Sequence, residues 1–123
     1  MPALLPKIIR TGTLEEFVLR NIGHGIALNI QIDNVKYSPE LENTYYKFHE
    51  IPMLREMDSV PVPYQSYVEN THSPGDHLAP FGAHANSPVV IRITFSDLAG
   101  DKYEQLYQMG KLPDRHISIK LIS

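Results

Sequence analysis

The sequence predicts an all-β protein, folded as an antiparallel β-sandwich of about seven to eight short strands. Apolar and polar residues alternate along several stretches, such as VVIRITFS at 89–96. This period of two is typical of strands that bury one face and expose the other. A helical period is nearly absent, and the ten prolines favour short elements joined by turns.

The alternation defines strong and weaker strand candidates. The strong ones are EEFVLRN at 15–21, ALNIQID at 27–33, VVIRITFS at 89–96 and RHISIKLIS at 115–123. The weaker ones are TYYKFHEI at 44–51, VPVPYQSYV at 60–68 and KYEQLYQM at 102–109, the last of which also fits a short helix. After Ile32 the apolar register shifts by one residue, which predicts a bulge or turn at Asp33-Asn34. In SDLAGDKY, Asp97 and Gly100 predict a hairpin turn.

Composition limits the classes of function. The 123 residues match one domain, spanning 1–123, and the net charge of −3 without a basic block argues against a nucleic-acid partner. There are no cysteines, so disulfides and thiolate chemistry are excluded. No apolar run approaches the ~18 residues of a membrane span, and no signal peptide is recognisable. We therefore expect no direct membrane insertion, and the compartment stays open.

The stretch NIGHGIALNI at 21–30 begins with a Gly-x-Gly pair, as many phosphate-binding loops do. A dinucleotide fingerprint needs a third glycine where Leu28 stands, and a helix after it, whereas a strand pattern follows here. We interpret the pair as a tight connection between strands. Gly23 and Gly25 would supply unusual φ angles, Asn21 would bond the turn backbone, and Ala27 would allow close packing.

Two segments, LRNIGHGIALNIQI and IRITFSDLAGDKYEQ, resemble a family of bacterial immunoglobulin-like β-sandwich domains. The chain departs from the family pattern at Ile26, where the family has proline, and at Phe95, where it has tyrosine. The resemblance implies an immunoglobulin-like fold and no particular activity. It also implies a place beside membrane segments or inside larger envelope proteins. The matching positions are Asn21, Gly23, Gly25, Ala27, Asn29, Asp97, Gly100 and Tyr103.

The predicted long loop at 69–87 holds the candidate metal ligands His72, Asp76, His77 and His84. Imidazole and carboxylate suit zinc, copper or nickel, but the spacings match no zinc signature. We therefore expect a solvated loop and no cofactor. The other histidines, His24, His49 and His116, are interpreted as surface residues, and no serine lies in a nucleophile elbow.

The sequence thus predicts a non-enzymatic interaction or structural module with a protein partner. Contacts would use sheet faces, edges or the proline-rich segment 52–63, and a homodimer through an edge strand is one possibility. Two alternatives stay open. One is a metal-binding protein or small metal-dependent enzyme built on the histidine loop. The other is a carbohydrate- or ligand-binding sandwich that uses a face of tyrosines, drawn from Tyr45, Tyr46, Tyr64, Tyr67, Tyr103 and Tyr107.

Overall fold

The computed structural model describes residues 1–11, 14–38, 41–68, 74–75, 89–109 and 115–123. Within these ranges every regular element is a β-strand. The strands are β1 (Leu4–Thr11), β2 (Leu14–Asn21), β3 (Ala27–Ile32), β4 (Val35–Ser38), β5 (Leu41–Phe48), β6 (Ile51–Leu54), β7 (Ser59–Pro61), β8 (Tyr64–Val68), β9 (Pro74–Gly75), β10 (Val89–Ser96), β11 (Lys102–Met109) and β12 (Arg115–Leu121).

The strands form three sheets, with orders β1-β2-β7, β12-β11-β10-β3-β6 and β4-β5-β8-β9. All pairings are antiparallel, so the predicted all-β antiparallel class is confirmed. The strands are more numerous than expected because the chain changes sheet after short runs. The stretch 60–68, expected as one strand, is divided between β7 and β8, which lie in different sheets.

The register shift after Ile32 marks such a change of sheet. Strand β3 lies in the five-stranded sheet and β4 in the four-stranded sheet, with Asp33 and Asn34 between them. The amide of Asp33 donates to the carbonyl oxygen of Arg92 on β10 at 3.0 Å, which holds the start of the crossing. The apolar residues change phase here because the core lies on a different side of the new strand.

One cluster of buried side chains fills the space between the sheets. On β10, Ile91 and Ile93 are fully buried while Val90 is half exposed, as the alternation predicts. The rings of Phe17 on β2 and Phe48 on β5 lie 4.8 Å apart between centroids, so they join two sheets directly. The cluster comprises Leu4, Phe17, Leu19, Ala27, Ile30, Ile32, Val35, Tyr46, Phe48, Ile51, Leu54, Val62, Ile91, Ile93, Phe95 and Tyr107.

A buried carboxamide joins the five-stranded sheet to the edge of the three-stranded sheet. Gln105 on β11 is 1% exposed, and its Oε1 accepts a hydrogen bond from the Leu4 amide at 2.9 Å. Its Nε2 donates to the Leu4 carbonyl oxygen. Strand β1 is an edge strand, so the side chain occupies the hydrogen-bonding place that a neighbouring strand would take.

We expect Gln105→Leu to lower the free energy of unfolding by about 2–4 kcal/mol, because it leaves the Leu4 amide and carbonyl buried without partners. Urea unfolding followed by circular dichroism measures this loss. The matched control is Gln108→Leu on the same strand, where the side chain is half-buried and a change within about 0.5 kcal/mol is expected. Equal losses in the two variants would contradict the role given to the Gln105 amide.

Candidate functional site

The carboxamide of Asn21 organises the Gly-x-Gly turn from inside the protein. Asn21 ends β2 and is fully buried. Its Nδ2 donates to the Gly25 carbonyl at 2.8 Å and to the Leu54 carbonyl at 3.1 Å, while its Oδ1 accepts from the Gly23 amide at 3.1 Å. The bonds need two donors and one acceptor on one planar group, which an amide supplies and a carboxylate does not.

The backbone of Asn21 holds a second turn, at 55–58. Its amide donates to the Asp58 carbonyl at 3.0 Å, and its carbonyl accepts from the Met57 amide at 2.8 Å. Met57 sits in the left-handed region, with φ of 68°, which is unfavourable for a residue with a long side chain. One buried residue thus fixes the shape of two adjoining turns.

The two glycines of the turn serve different purposes. Gly25 has φ of 86° and open space around it, so it is required for its backbone angle. Gly23 has no positive φ, and the φ role predicted for it is wrong. A Cβ on Gly23 would lie 2.5 Å from the Met1 carbonyl oxygen and 2.8 Å from the Pro2 carbonyl carbon. Gly23 is therefore required because the segment 1–3 packs directly on it.

This turn has none of the surroundings of a phosphate-binding loop. The chain continues from Ala27, which is fully buried, into strand β3. The Gly25 amide, which a phosphate would need, instead donates to Glu56 Oε2 at 3.3 Å. That bond is the main cause that lowers the pKa of the Glu56 carboxyl, and His24 Nδ1, 3.2 Å from Glu56 Oε1, adds to it.

Three exposed apolar residues lie in or beside the two turns; we call Met1, Ile22 and Met57 the turn patch. Their exposed fractions are 55%, 52% and 60%. Backbone hydrogen bonds join the segments that carry them: the Ile22 amide donates to the Ala3 carbonyl at 2.8 Å, and the His24 amide donates to the Met1 carbonyl at 3.0 Å. Met57 joins them through its bond to the Asn21 carbonyl.

The β10–β11 hairpin turn is closed by Asp97. Its Oδ1 accepts from the amides of Ala99 and Asp101, both at 3.0 Å, and its Oδ2 accepts from the Tyr103 hydroxyl at 3.1 Å. Gly100 has φ of 89°. Burial, followed by the neighbouring Asp97 carboxylate, raises the pKa of Tyr103. Because both oxygens of the Asp97 carboxylate accept hydrogen bonds within the hairpin, its role is to stabilise the turn.

The outer face of the five-stranded sheet carries a row of paired charges. Glu104 on β11 bonds Arg92 Nε at 2.7 Å and Lys120 Nζ at 3.4 Å, and Arg92 also reaches Asp33 at 3.2 Å. The hydrogen bond from Arg92 is the main cause that lowers the pKa of Glu104, with Lys120 contributing. The same bond is the main cause that raises the pKa of Arg92.

Two cavities open on or beside this face. A pocket of about 300 Å³ lies over β3, β10 and β11, between Asn29 and Lys102. A wider one of about 520 Å³ lies between β3 and the end of β5, between Asp33 and Lys47. Gln31 lines both, and its Nε2 donates to Glu50 Oε1 at 3.1 Å.

Within the predicted loop at 69–87, Pro74–Gly75 form strand β9, which pairs with β8. The loop's candidate ligands His72, Asp76, His77 and His84 lie outside the described residues. Within the described ranges, no group of three or more histidine, aspartate or glutamate side chains is arranged to hold a metal ion. The metal hypothesis for the loop stays a prediction.

The six candidate tyrosines are divided between two sheets, four on one and two on the other. Tyr45, Tyr46, Tyr64 and Tyr67 lie on β5 and β8 of the four-stranded sheet, whereas Tyr103 and Tyr107 lie on β11 of the five-stranded sheet. Tyr46 and Tyr107 are buried, and the ring of Tyr64 packs edge-on against Tyr46 at 6.2 Å. Tyr46, Tyr64 and Tyr107 thus contribute to the core or pack against it, and the carbohydrate- or ligand-binding alternative stays a prediction.

Comparison with protein-family models, with curated proteins and with solved structures finds no match for this chain. The resemblance to bacterial immunoglobulin-like domains therefore stays a prediction. Among the residues that the structure describes, no helix has the length and apolar character needed to cross a membrane.

Paired alanine substitutions test the separate roles of the two glycines. We expect Gly25→Ala to lower the free energy of unfolding by about 1–2 kcal/mol, because it forces a Cβ into the left-handed region. Gly23→Ala should cost more and should displace residues 1–3. Urea unfolding and amide NMR shifts of Ala3, Leu4 and His24 measure both effects. Unchanged shifts in Gly23→Ala would contradict the close approach.

The charged row predicts an acid-sensitive contribution to stability. Because the folded pKa of Glu104 lies below the ordinary 4.5, its contribution is present at neutral pH and is lost as the pH falls through the folded value. We expect the difference in stability between the native chain and Glu104→Gln to shrink below pH 4.5. Urea unfolding across pH measures it, with the exposed Glu16→Gln on β2 as control. A difference independent of pH would contradict this.

Proposed function

We propose that this chain is a non-enzymatic, immunoglobulin-like β-sandwich module that binds another protein through the turn patch. The antiparallel sheets around a shared core support the sandwich. The resemblance carried by Asn21, Gly25 and Asp97 supports its immunoglobulin-like type. The patch lies partly within the proline-rich segment 52–63, one of the contact regions that the sequence predicts.

The conformation of Met57 is the observation that carries the proposal. The residue is 60% exposed at φ of 68°, so it combines a strained backbone with apolar surface in water. A glycine would relieve the strain, which is about 1–2 kcal/mol for a residue with a Cβ. Strain held by surrounding structure marks functional sites more often than other surface. Here the hydrogen bond from the Met57 amide to the Asn21 carbonyl holds the strained conformation.

The residues of the patch and those near it have the composition of a protein interface. The exposed polar residues near Ile22 and Met57 in the two turns are His24, Arg55, Glu56 and Asp58. Interfaces combine an apolar centre with a polar rim in this way. Methionine adapts its shape to a partner, while the buried Asn21 keeps the backbone beneath it rigid, which lowers the entropy lost on binding.

The sheet edges supply a reason to place the partner at the patch. Strand β6 carries Pro52 and strand β7 carries Pro61, and both are edge strands. Proline cannot donate to an added strand. On β1 the Leu4 amide and carbonyl are already bonded to Gln105. These features oppose sheet extension at the edges β1, β6 and β7, and we favour the turns over these three edges as the contact.

Site-specific photo-crosslinking in the host cell tests the proposal. A photoreactive residue at position 57 or 22 should crosslink to the same protein. One at Leu98, which is 72% exposed on the hairpin, should not. The captured protein is then purified and its Kd for this chain is measured. Crosslinking that does not differ among the three positions would overturn the proposal.

We expect Met57→Gly to separate binding from stability. The change removes the side chain and suits the positive φ, so the free energy of unfolding should stay equal or rise by about 1 kcal/mol. The Kd for the purified partner should weaken at least tenfold, or about 1.4 kcal/mol, because an interface anchor is lost. Leu98→Ser is the matched control and should leave the Kd unchanged. An unchanged Kd in Met57→Gly would contradict the patch as the contact.

A further inference from the structure

A β-bulge deforms the five-stranded sheet beside the 300 Å³ pocket. Thr94 pairs with Gln31 and Ser96 pairs with Leu28, so two steps on β10 face three steps on β3. The extra residue on β3 breaks the alternation, and Asn29 there has φ of 51°. Bulges re-aim side chains and are frequent beside functional sites. Here the bulge turns the Asn29 side chain toward solvent at the pocket wall.

The pocket has a floor and two walls of contrasting chemistry. Thr94 and Ser96 on β10 form the floor, and Asn29 and Gln31 on β3 form one wall. Lys102 on β11 and Ile122, which follows β12, form the opposite wall. The Ile122 amide donates to the Lys102 carbonyl at 2.8 Å, so the backbone of that wall is fixed.

The polar groups of the pocket lack protein partners, in contrast to the charged row beside it. In that row Glu104 is ion-paired with both Arg92 and Lys120, and Arg92 is also ion-paired with Asp33. Among the described residues, the side chains of Asn29, Thr94, Ser96 and Lys102 make no hydrogen bond or ion pair with protein. An amide, two hydroxyls and an ammonium therefore converge on one cavity with their bonding capacity unused.

We propose that this pocket binds a sugar acid of monosaccharide size, a site separate from the turn patch. Lys102 carries the only charge among the described lining residues, and its ammonium pairs with the ligand carboxylate. The hydroxyls and the two amides both donate and accept, as a set of ligand hydroxyls requires. Gln31 is held in place by its bond to Glu50. Ile122, which is 42% exposed, offers an apolar wall to the C–H face of the sugar ring.

Amide NMR titration of the whole chain with glucuronate tests the site. The expected result is saturable shifts at Asn29, Gln31, Thr94, Ser96, Lys102 and Ile122. Glucose lacks the carboxylate and should bind at least tenfold more weakly, and acetate lacks the hydroxyls and should do the same. Equal binding of glucose, equal binding of acetate, or shifts that do not saturate would each overturn the proposal.

Two variants distinguish specific binding by the pocket from general attraction of glucuronate to a surface lysine. Asn29→Gly keeps the positive φ and removes the amide, so it should weaken glucuronate binding at least fivefold without lowering the thermal midpoint. Lys102→Gln should weaken glucuronate and leave the weak glucose signal unchanged. The matched control is Lys47→Gln, which lines the other cavity and should change nothing. Full glucuronate affinity in Asn29→Gly, or an equal loss in Lys47→Gln, would overturn the assignment.

Discussion

The buried carboxamide of Asn21 ties together stretches of chain that otherwise meet only at the ends of strands. Its side chain bonds the Gly23 amide and the carbonyls of Gly25 and Leu54, and its backbone bonds the turn at 55–58. Of these partners the Leu54 carbonyl makes a buried bond, and leaving such a group without a hydrogen bond costs about 1–3 kcal/mol. This single residue therefore holds both turns that carry the turn patch.

Gln105 links two sheets through its side-chain amide, as Asn21 links two turns. Apolar contacts in the shared core are non-directional and leave the sheets free to slide, whereas the paired bonds to Leu4 fix one position on β1 against one position on β11. Both residues are carboxamides with less than 2% exposure. An amide side chain suits this task because it donates and accepts like a peptide group and carries no charge to desolvate.

Local features of the fold were predictable, and long-range ones were not. The alternation along β10 and the turn residues Asp97 and Gly100 act between neighbours in sequence, so the hairpin could be foreseen. The edge strand β1 was missed because Pro2 and Pro6 interrupt its pattern. The partner of Gln105 lies 101 positions away, and the need for Gly23 arises from residues 1–3, which no local pattern reveals. Both pockets likewise depend on which strands become neighbours.

Asn29 and Met57 are the non-glycine residues with positive φ in the described part of the chain, and each adjoins a proposed contact surface. Their origins differ. Asparagine tolerates this conformation, and a bulge places it at a polar pocket. Methionine does not, and the hydrogen bonds of the turn at 55–58, including the one to the Asn21 carbonyl, retain it in the turn patch. Folding alone would favour glycine at both positions, since neither side chain is buried. Because glycine would meet the backbone requirement at both positions, the side chains that stand there instead are the reason that we propose external contacts beside them.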